Sequence, residues 1–220
     1  MTNLNQLIIK FDYEQNFKDD DFYVSKSNEH IFKLLNSWPM WEKNFLNIHG
    51  DRFSGKTHLI NIFIKKFSGI KFESEYLNID DLNKISKYKN IIIENFDQNI
   101  NEKLLYSLID VIEQNNKYLI FTSTKPIVDF IFKLDDLNSR FKNFILQDIY
   151  KPDDELIFAL ILKNLSDRQI FLDKKLINFI IKRINRSYGK IFEFIYKIDE
   201  ISLKKKKSID LKIIKESLGE

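Results

Sequence analysis

A chain of 220 residues, 44% of them hydrophobic, is long enough for one substantial core or for a core domain with a small satellite. Its charged residues, 30% of the total, nearly cancel to a formal net charge of +3, so the surface does not by itself announce a nucleic-acid binder, and the absence of cysteine excludes disulfide frameworks and thiolate metal sites. The N-terminus lacks the basic and long apolar regions of a signal peptide, and no apolar run approaches the ~18 residues that cross a bilayer, so a soluble, cytoplasmic protein without a membrane partner is expected.

Phe, Ile, Lys and Asn are abundant, while alanine occurs once, at Ala159. These are residues with AT-rich codons, so aromatic and basic runs are discounted as signals. The run Leu203-Lys204-Lys205-Lys206-Lys207 reads as solvated surface at a helix-to-helix turn. His30, His49 and His58 are scattered and read as local packing.

In chain order, residues 1–12 read as an extended arm. Helical spacing of Ile31, Leu34 and Leu35 predicts a helix over 28–37, ended by Trp38-Pro39 because a residue before proline avoids the α region. Residues 45–49 form a strand candidate, and 56–67 a helix stopped at Ser68-Gly69 with glycine as the cap. A strand is expected at 76–79, then a short helix, an apolar strand at 90–94, a helix over 101–115 and an apolar strand at 118–121. Near-continuously apolar strands alternating with helices predict a parallel sheet covered on both faces. After Asp153 only helical periods remain, at 154–165, 173–185, 190–203 and 210–218. The expected organisation is therefore an arm (1–12), an α/β nucleotide-binding base (13–151) and an all-helical lid (152–220).

Gly50-Asp51-Arg52-Phe53-Ser54-Gly55-Lys56-Thr57 fits G-x-x-x-x-G-K-[ST] between a predicted strand and a predicted helix, the setting a P-loop requires. The glycines let successive N–H groups turn inward around a phosphate, and the following helix adds its positive end. Lys56 would place a charge on the β- and γ-phosphates, and Thr57 would offer a hydroxyl to Mg2+. ADP or ATP with Mg2+ is the expected ligand. Ile91-Ile92-Ile93-Glu94-Asn95 is an apolar strand ending in an acid, a Walker B pattern, with Glu94 as a second Mg2+ contact. Asn95 cannot accept a proton, and Asp97 lies two residues on, so slow intrinsic hydrolysis is expected. Thr122-Ser123-Thr124 follows the next strand and Leu137-Asn138-Ser139-Arg140-Phe141 an acidic turn. Taken alone, the first fits ordinary turn chemistry and the second a surface arginine.

The order of arm, Phe22-Tyr23-Val24, P-loop, Ile91–Asn95, Thr122–Thr124, Leu137–Phe141 and helical lid resembles the DnaA branch of AAA+ proteins over nearly the whole chain, and within it the Hda/HdaA regulators of alphaproteobacterial type. Glu94-Asn95 and Lys182-Arg183-Ile184-Asn185-Arg186-Ser187-Tyr188 carry the second part of that likeness. The resemblance implies an AAA+ base and lid, with Val24 and Asn28 lining an adenine pocket. It places Thr124 at sensor 1 and makes Arg140 a finger reaching a neighbouring subunit's nucleotide. The lid position of the sensor 2 arginine is Gly189 here, with Lys190 beside it as a partial substitute that lacks the planar fork. Gln6-Leu7-Ile8-Ile9-Lys10-Phe11 resembles the peptide by which such proteins dock on the DNA polymerase III sliding clamp (beta subunit). Gln6, Leu7, Ile9 and Phe11 would be the anchors, although the same pattern suits an N-terminal edge strand. The sequence ends at Glu220 after the lid, so the DnaA helix-turn-helix domain is expected to be lacking.

The expected function is a regulator that, on the clamp and holding a nucleotide, presents Arg140 to ATP-bound DnaA and promotes hydrolysis there, restraining replication initiation. DNA contact would be indirect and homo-oligomers are possible. The alternatives are a AAA+ ATPase acting directly on DNA as a loader, and a nucleotide-binding scaffold.

Overall fold

The computed structural model describes residues 22–205 and 208–219, so the arm and its anchors Gln6, Leu7, Ile9 and Phe11 lie outside the described residues. Helix α1 (Glu29–Asn36) leads to β1 (Phe45–His49) and α2 (Lys56–Phe67). Next come β2 (Ile70–Glu73), a 3-10 turn (Ser74–Tyr76), α3 (Asp81–Ile85) and β3 (Asn90–Glu94). The second half runs α4 (Glu102–Gln114), β4 (Tyr118–Ser123), α5 (Asp135–Phe141) and β5 (Ile145–Asp148), then α6 (Asp154–Ser166), α7 (Lys174–Ile181), α8 (Tyr188–Lys205) and α9 (Leu211–Leu218).

The five strands form one parallel sheet ordered β2-β3-β4-β1-β5. Because successive side chains point to opposite faces, β1 sends Leu46 and Ile48 to one side and Phe45 to the other. Ile92 and Ile120 join Leu46 and Ile48 against Ile31 and Leu35 of α1 and Leu59, Ile60 and Phe63 of α2. Ile91, Ile93, Leu119 and Phe121 face Leu105, Leu108, Ile109 and Ile112 of α4 and Phe141 of α5. Burial on both faces is why the central strands carry no polar alternation. A third cluster, from Ile157 on α6 to Ile214 on α9, is drawn from α6 to α9 and from Ile184 in the turn between α7 and α8.

Two edge strands differ from the sequence expectation. The strand expected at 76–79 is instead β2, at Ile70–Glu73, and Tyr76 and Ile79 are 73% and 72% exposed. Among the described residues β2 pairs on one side only, so its half-buried alternation is weaker than the apolar run that follows it. β5, the opposite edge, has an alternating half-exposed pattern and was not expected, nor was α5 before it. The cap of α2 is Ser68 at φ 57° rather than Gly69. Gly69 answers a steric demand: a Cβ there would sit 3.0 Å from the Asn90 carbonyl oxygen and 3.1 Å from Ile92 Cδ1. α7 ends at Ile181, four residues early, and α8 begins at Tyr188 and takes in Leu203–Lys205 of the basic run.

Candidate nucleotide-binding site

The loop from Gly50 to Gly55 joins the end of β1 to α2. Gly50 has φ 152° and lies so close to Ile149 that a Cβ would meet that residue's Cβ at 3.1 Å, while Gly55 is left-handed at φ 92°. The turn therefore needs glycine at both ends of the motif. Gly50 N–H donates to the Ser123 carbonyl (3.2 Å), tying the loop to β4. No side chain caps α2 and its first turn carries no acid, so its leading N–H groups and positive end remain for an anion. Lys56 is buried among the loop's own oxygens, donating to the carbonyls of Gly50 (2.7 Å) and Asp51 (2.8 Å). Burial pushes its ammonium down to about 8, against the opposing charges of Asp51 and Glu94. Thr57 is half-buried on the first turn of α2; Asp51, Arg52 and Phe53 are exposed and Ser54 is buried.

Glu94 ends β3 at 1% exposure. Neither carboxylate oxygen accepts a hydrogen bond, and the ammonium of Lys71 on β2 stands 2.8 Å from Oε2 in an ion pair. Buried anionic oxygens suit a cation, a place that the Lys71 ammonium fills in part. Among the described residues no three His, Cys, Asp or Glu side chains form a metal cluster, so Mg2+ would be held by Glu94, Thr57 and the nucleotide's own phosphates. Asn95 is left-handed (φ 53°), its N–H donates to Thr122 Oγ1 (3.1 Å), and its amide donates to Glu73 (2.8 Å). Asp97 accepts from the N–H of Asn99.

Sequence reading missed the residue that fixes the turn after β4. Asn47, fully buried in β1, donates to Ser123 Oγ (2.9 Å) and accepts from the N–H of Ile127 (2.8 Å). A lone amide within the apolar strand FLNIH was its only signal. Thr122 and Ser123 are buried in this network, leaving Thr124 exposed at the turn. His49, next to Gly50, pairs with Asp148 on β5 at 3.3 Å; burial lowers its pKa, with Asp148 opposing. His30 contacts the Asp148 carbonyl and stacks on Tyr150, and His58 packs edge-on to Phe22, so all three histidines serve local packing.

Phe22 lies 3.4 Å from the position of a Gly55 Cβ, which brings the 22–28 segment to the P-loop. Val24 is exposed there. The amide of Asn28 is committed to shaping the segment, accepting from Ser25 N–H (2.9 Å) and donating to the Tyr23 carbonyl (3.0 Å). Ser27 exchanges hydrogen bonds with Asp153, the N-cap of α6, and donates to the Lys151 carbonyl. On α8, Tyr188 is buried against the base and donates to the Tyr150 carbonyl (3.0 Å), and Phe192 packs on Phe53 of the P-loop. The ammonium of Lys190 is engaged by Glu193, one turn along the same helix, at 2.7 Å. Arg140 stands against α4. Its guanidinium meets Glu113 (2.7 Å), Asp136 (3.0 Å) and Asp110 (3.5 Å), rests on the Tyr106 ring, and is 19% exposed.

A P-loop after β1, an acid closing β3 and a polar turn after β4, on a parallel sheet ordered 2-3-4-1-5 and followed by helices, define the AAA+ fold. Within that class the domain resembles that of DnaA in fold. Domain III of Thermotoga maritima DnaA superposes with a TM-score of 0.73 at 19% identity, over 92% of this chain and 95% of that one. Aquifex aeolicus DnaA bound to AMPPCP gives 0.64 at 18%, over 86% and 69%, and the Thermotoga maritima RuvB branch-migration motor 0.65 at 15%, over 89% and 69%. In sequence the chain is 27% identical over 161 residues to the DnaA of Borreliella afzelii, covering 73% of this chain and 30% of that protein. It is 26% identical over 200 residues to that of Borrelia turicatae, covering 89% and 38%. The chain thus spans about a third of the length of these curated relatives. No family model matches it. No helix among the described residues is long and apolar enough to cross a membrane.

Proposed function

We propose that this chain holds an adenine nucleotide with Mg2+ on its P-loop and acts in replication initiation as a DnaA-related AAA+ protein with little hydrolysis of its own. The observation that carries this is the Gly50–Thr57 loop, strapped to β4 and opening onto an uncapped helix, with Lys56 held at its centre. AMPPCP-bound DnaA shares the fold, which supports an adenine nucleotide as the ligand. Mg2+, when bound, screens phosphate charge. The chain's own part is to orient phosphates with loop amides and Lys56 and to offer Glu94 and Thr57 to the ion. Asn95 has no basic site, and its amide is already spent on Glu73, so the position after Glu94 supplies no general base.

The finer reading is a regulator of DnaA. Docked on the sliding clamp through Gln6, Leu7, Ile9 and Phe11, it supplies Arg140 to ATP-bound DnaA and promotes hydrolysis there. For that, the guanidinium must leave Glu113, Asp136 and Asp110. Titration with fluorescent ADP tests the nucleotide site: Lys56→Ala should weaken binding strongly, and equal affinity would remove the assignment. Clamp-loaded DNA with ATP-bound DnaA tests the regulator: stimulated hydrolysis should vanish for Arg140→Ala and for Gln6→Ala combined with Leu7→Ala.

A further inference from the structure

Lys71 belongs to none of the motifs, yet it lies against the buried acid. Its ammonium sits between two elements of the site, 2.8 Å from Glu94 Oε2 at the end of β3 and 3.2 Å from the side-chain oxygen of Asn61 on α2, the P-loop helix. The parallel register of β2 and β3 sets this up. Lys71 pairs with Ile92 and Glu73 with Glu94, so Lys71, Ile92 and Glu94 share one face of the sheet. A basic residue two positions before the pair of Glu94 therefore reaches diagonally to its carboxylate. Glu94 is 1% exposed and accepts no hydrogen bond, so the Lys71 ammonium is the positive charge in direct contact with it, with Lys56 acting from farther off. The side chain of Lys71 is 33% exposed, so its ammonium has a path to solvent that the carboxylate lacks.

We propose that Lys71 is a built-in counter-ion for Glu94, so that Mg2+, although the site can hold it, adds little to nucleotide affinity in this chain. This rests on the nucleotide reading above. A carboxylate already neutralised offers little further attraction to an arriving ion, whereas one stripped of its ammonium is a buried, uncompensated charge that a cation would satisfy. Asn61 accepts from the same ammonium and so ties it to the P-loop helix.

The full chain is titrated with fluorescent ADP in EDTA and in excess Mg2+, for the wild type, Lys71→Met, and Lys71→Met combined with Glu94→Gln. Thermal melts of each complex are run in both buffers. The wild-type dissociation constant should differ little between buffers, whereas Mg2+ should tighten binding by Lys71→Met about tenfold or more and raise its melting temperature well beyond the wild-type response. The double variant, with the buried charge of Glu94 removed, should respond to Mg2+ as the wild type does. If Lys71→Met folds only with Mg2+ present, the ion has replaced the ammonium and the inference holds. A wild type that already needs Mg2+ for tight binding, or a Lys71→Met variant with the wild-type response, overturns it while leaving the nucleotide site intact. Failure of the wild type to bind ADP in either buffer overturns the nucleotide reading itself, and the inference with it.

Discussion

Lys56 carries opposed demands. It must be charged to hold phosphate, and burial pulls its ammonium down to about 8. Affinity for nucleotide should be fully present below that pH and fall as pH rises through it, by up to about tenfold per unit until the lysine of the complex also titrates. Titrations at stepped pH should show this fall and its absence in Lys56→Ala. The free protein should move the other way. An unfolded lysine keeps its proton to about 10.4, so between about 8 and that value the unfolded chain binds more protons and folding stability gains from this group as pH rises. Asn95 gives a second prediction. With no proton acceptor at position 95, turnover of the chain alone should stay far below the ~1–10³ per second usual for enzymes, and Asn95→Glu should raise it. A typical rate in the unsubstituted chain would count against the site as described. Arg140 gives a third. Its removal leaves Asp110, Glu113 and Asp136 facing one another across α4 and α5, so Arg140→Ala should cost on the order of 1 kcal/mol in a urea melt, apart from any loss of stimulation.

Among the elements, β1 is the one on which the rest depends. It lies between β4 and β5, feeds the P-loop, and through Asn47 holds the turn that carries Thr124. Asn47→Ala leaves the Ile127 N–H unsatisfied in a dry site, at a cost of about 1–3 kcal/mol measurable by denaturant unfolding, with the turn loosened beyond the rest of the sheet. The central strands and the P-loop helix were legible in the sequence because burial on both faces makes them continuous apolar runs, and glycine spacing marks the loop between them. The edges were not. Among the described residues Ile70–Glu73 and Ile145–Asp148 each pair on one side, so their half-polar patterns resemble turns, and the exposed apolar side chains of Tyr76 and Ile79 drew the strand away from its place. The site was legible where backbone geometry demands glycine and illegible where a partner comes from another strand, as with Asn47 and Lys71, because register is a property of the folded sheet.

At the scale of the molecule, the helical C-terminal part touches the sheet layers through few groups, and Tyr188 is the largest of those that are fully buried. Tyr188→Phe keeps the ring and deletes only the bond to the Tyr150 carbonyl, for about 0.5–1.5 kcal/mol; Tyr188→Ala should cost nearer 3–5 kcal/mol, both read by thermal melting. The other joint is smaller. One hydroxyl, that of Ser27, shares its single proton between the backbone carbonyl just before α6 and the N-cap carboxylate of α6, and accepts the N–H of Asp153, while the Ser27 carbonyl accepts from Tyr150. The turn bearing Tyr23 and Val24 and the start of the helical part are thereby one mechanical unit. Their amides should exchange with deuterium together, in a single opening event, and a Ser27→Ala chain should split that event into two with separate rates.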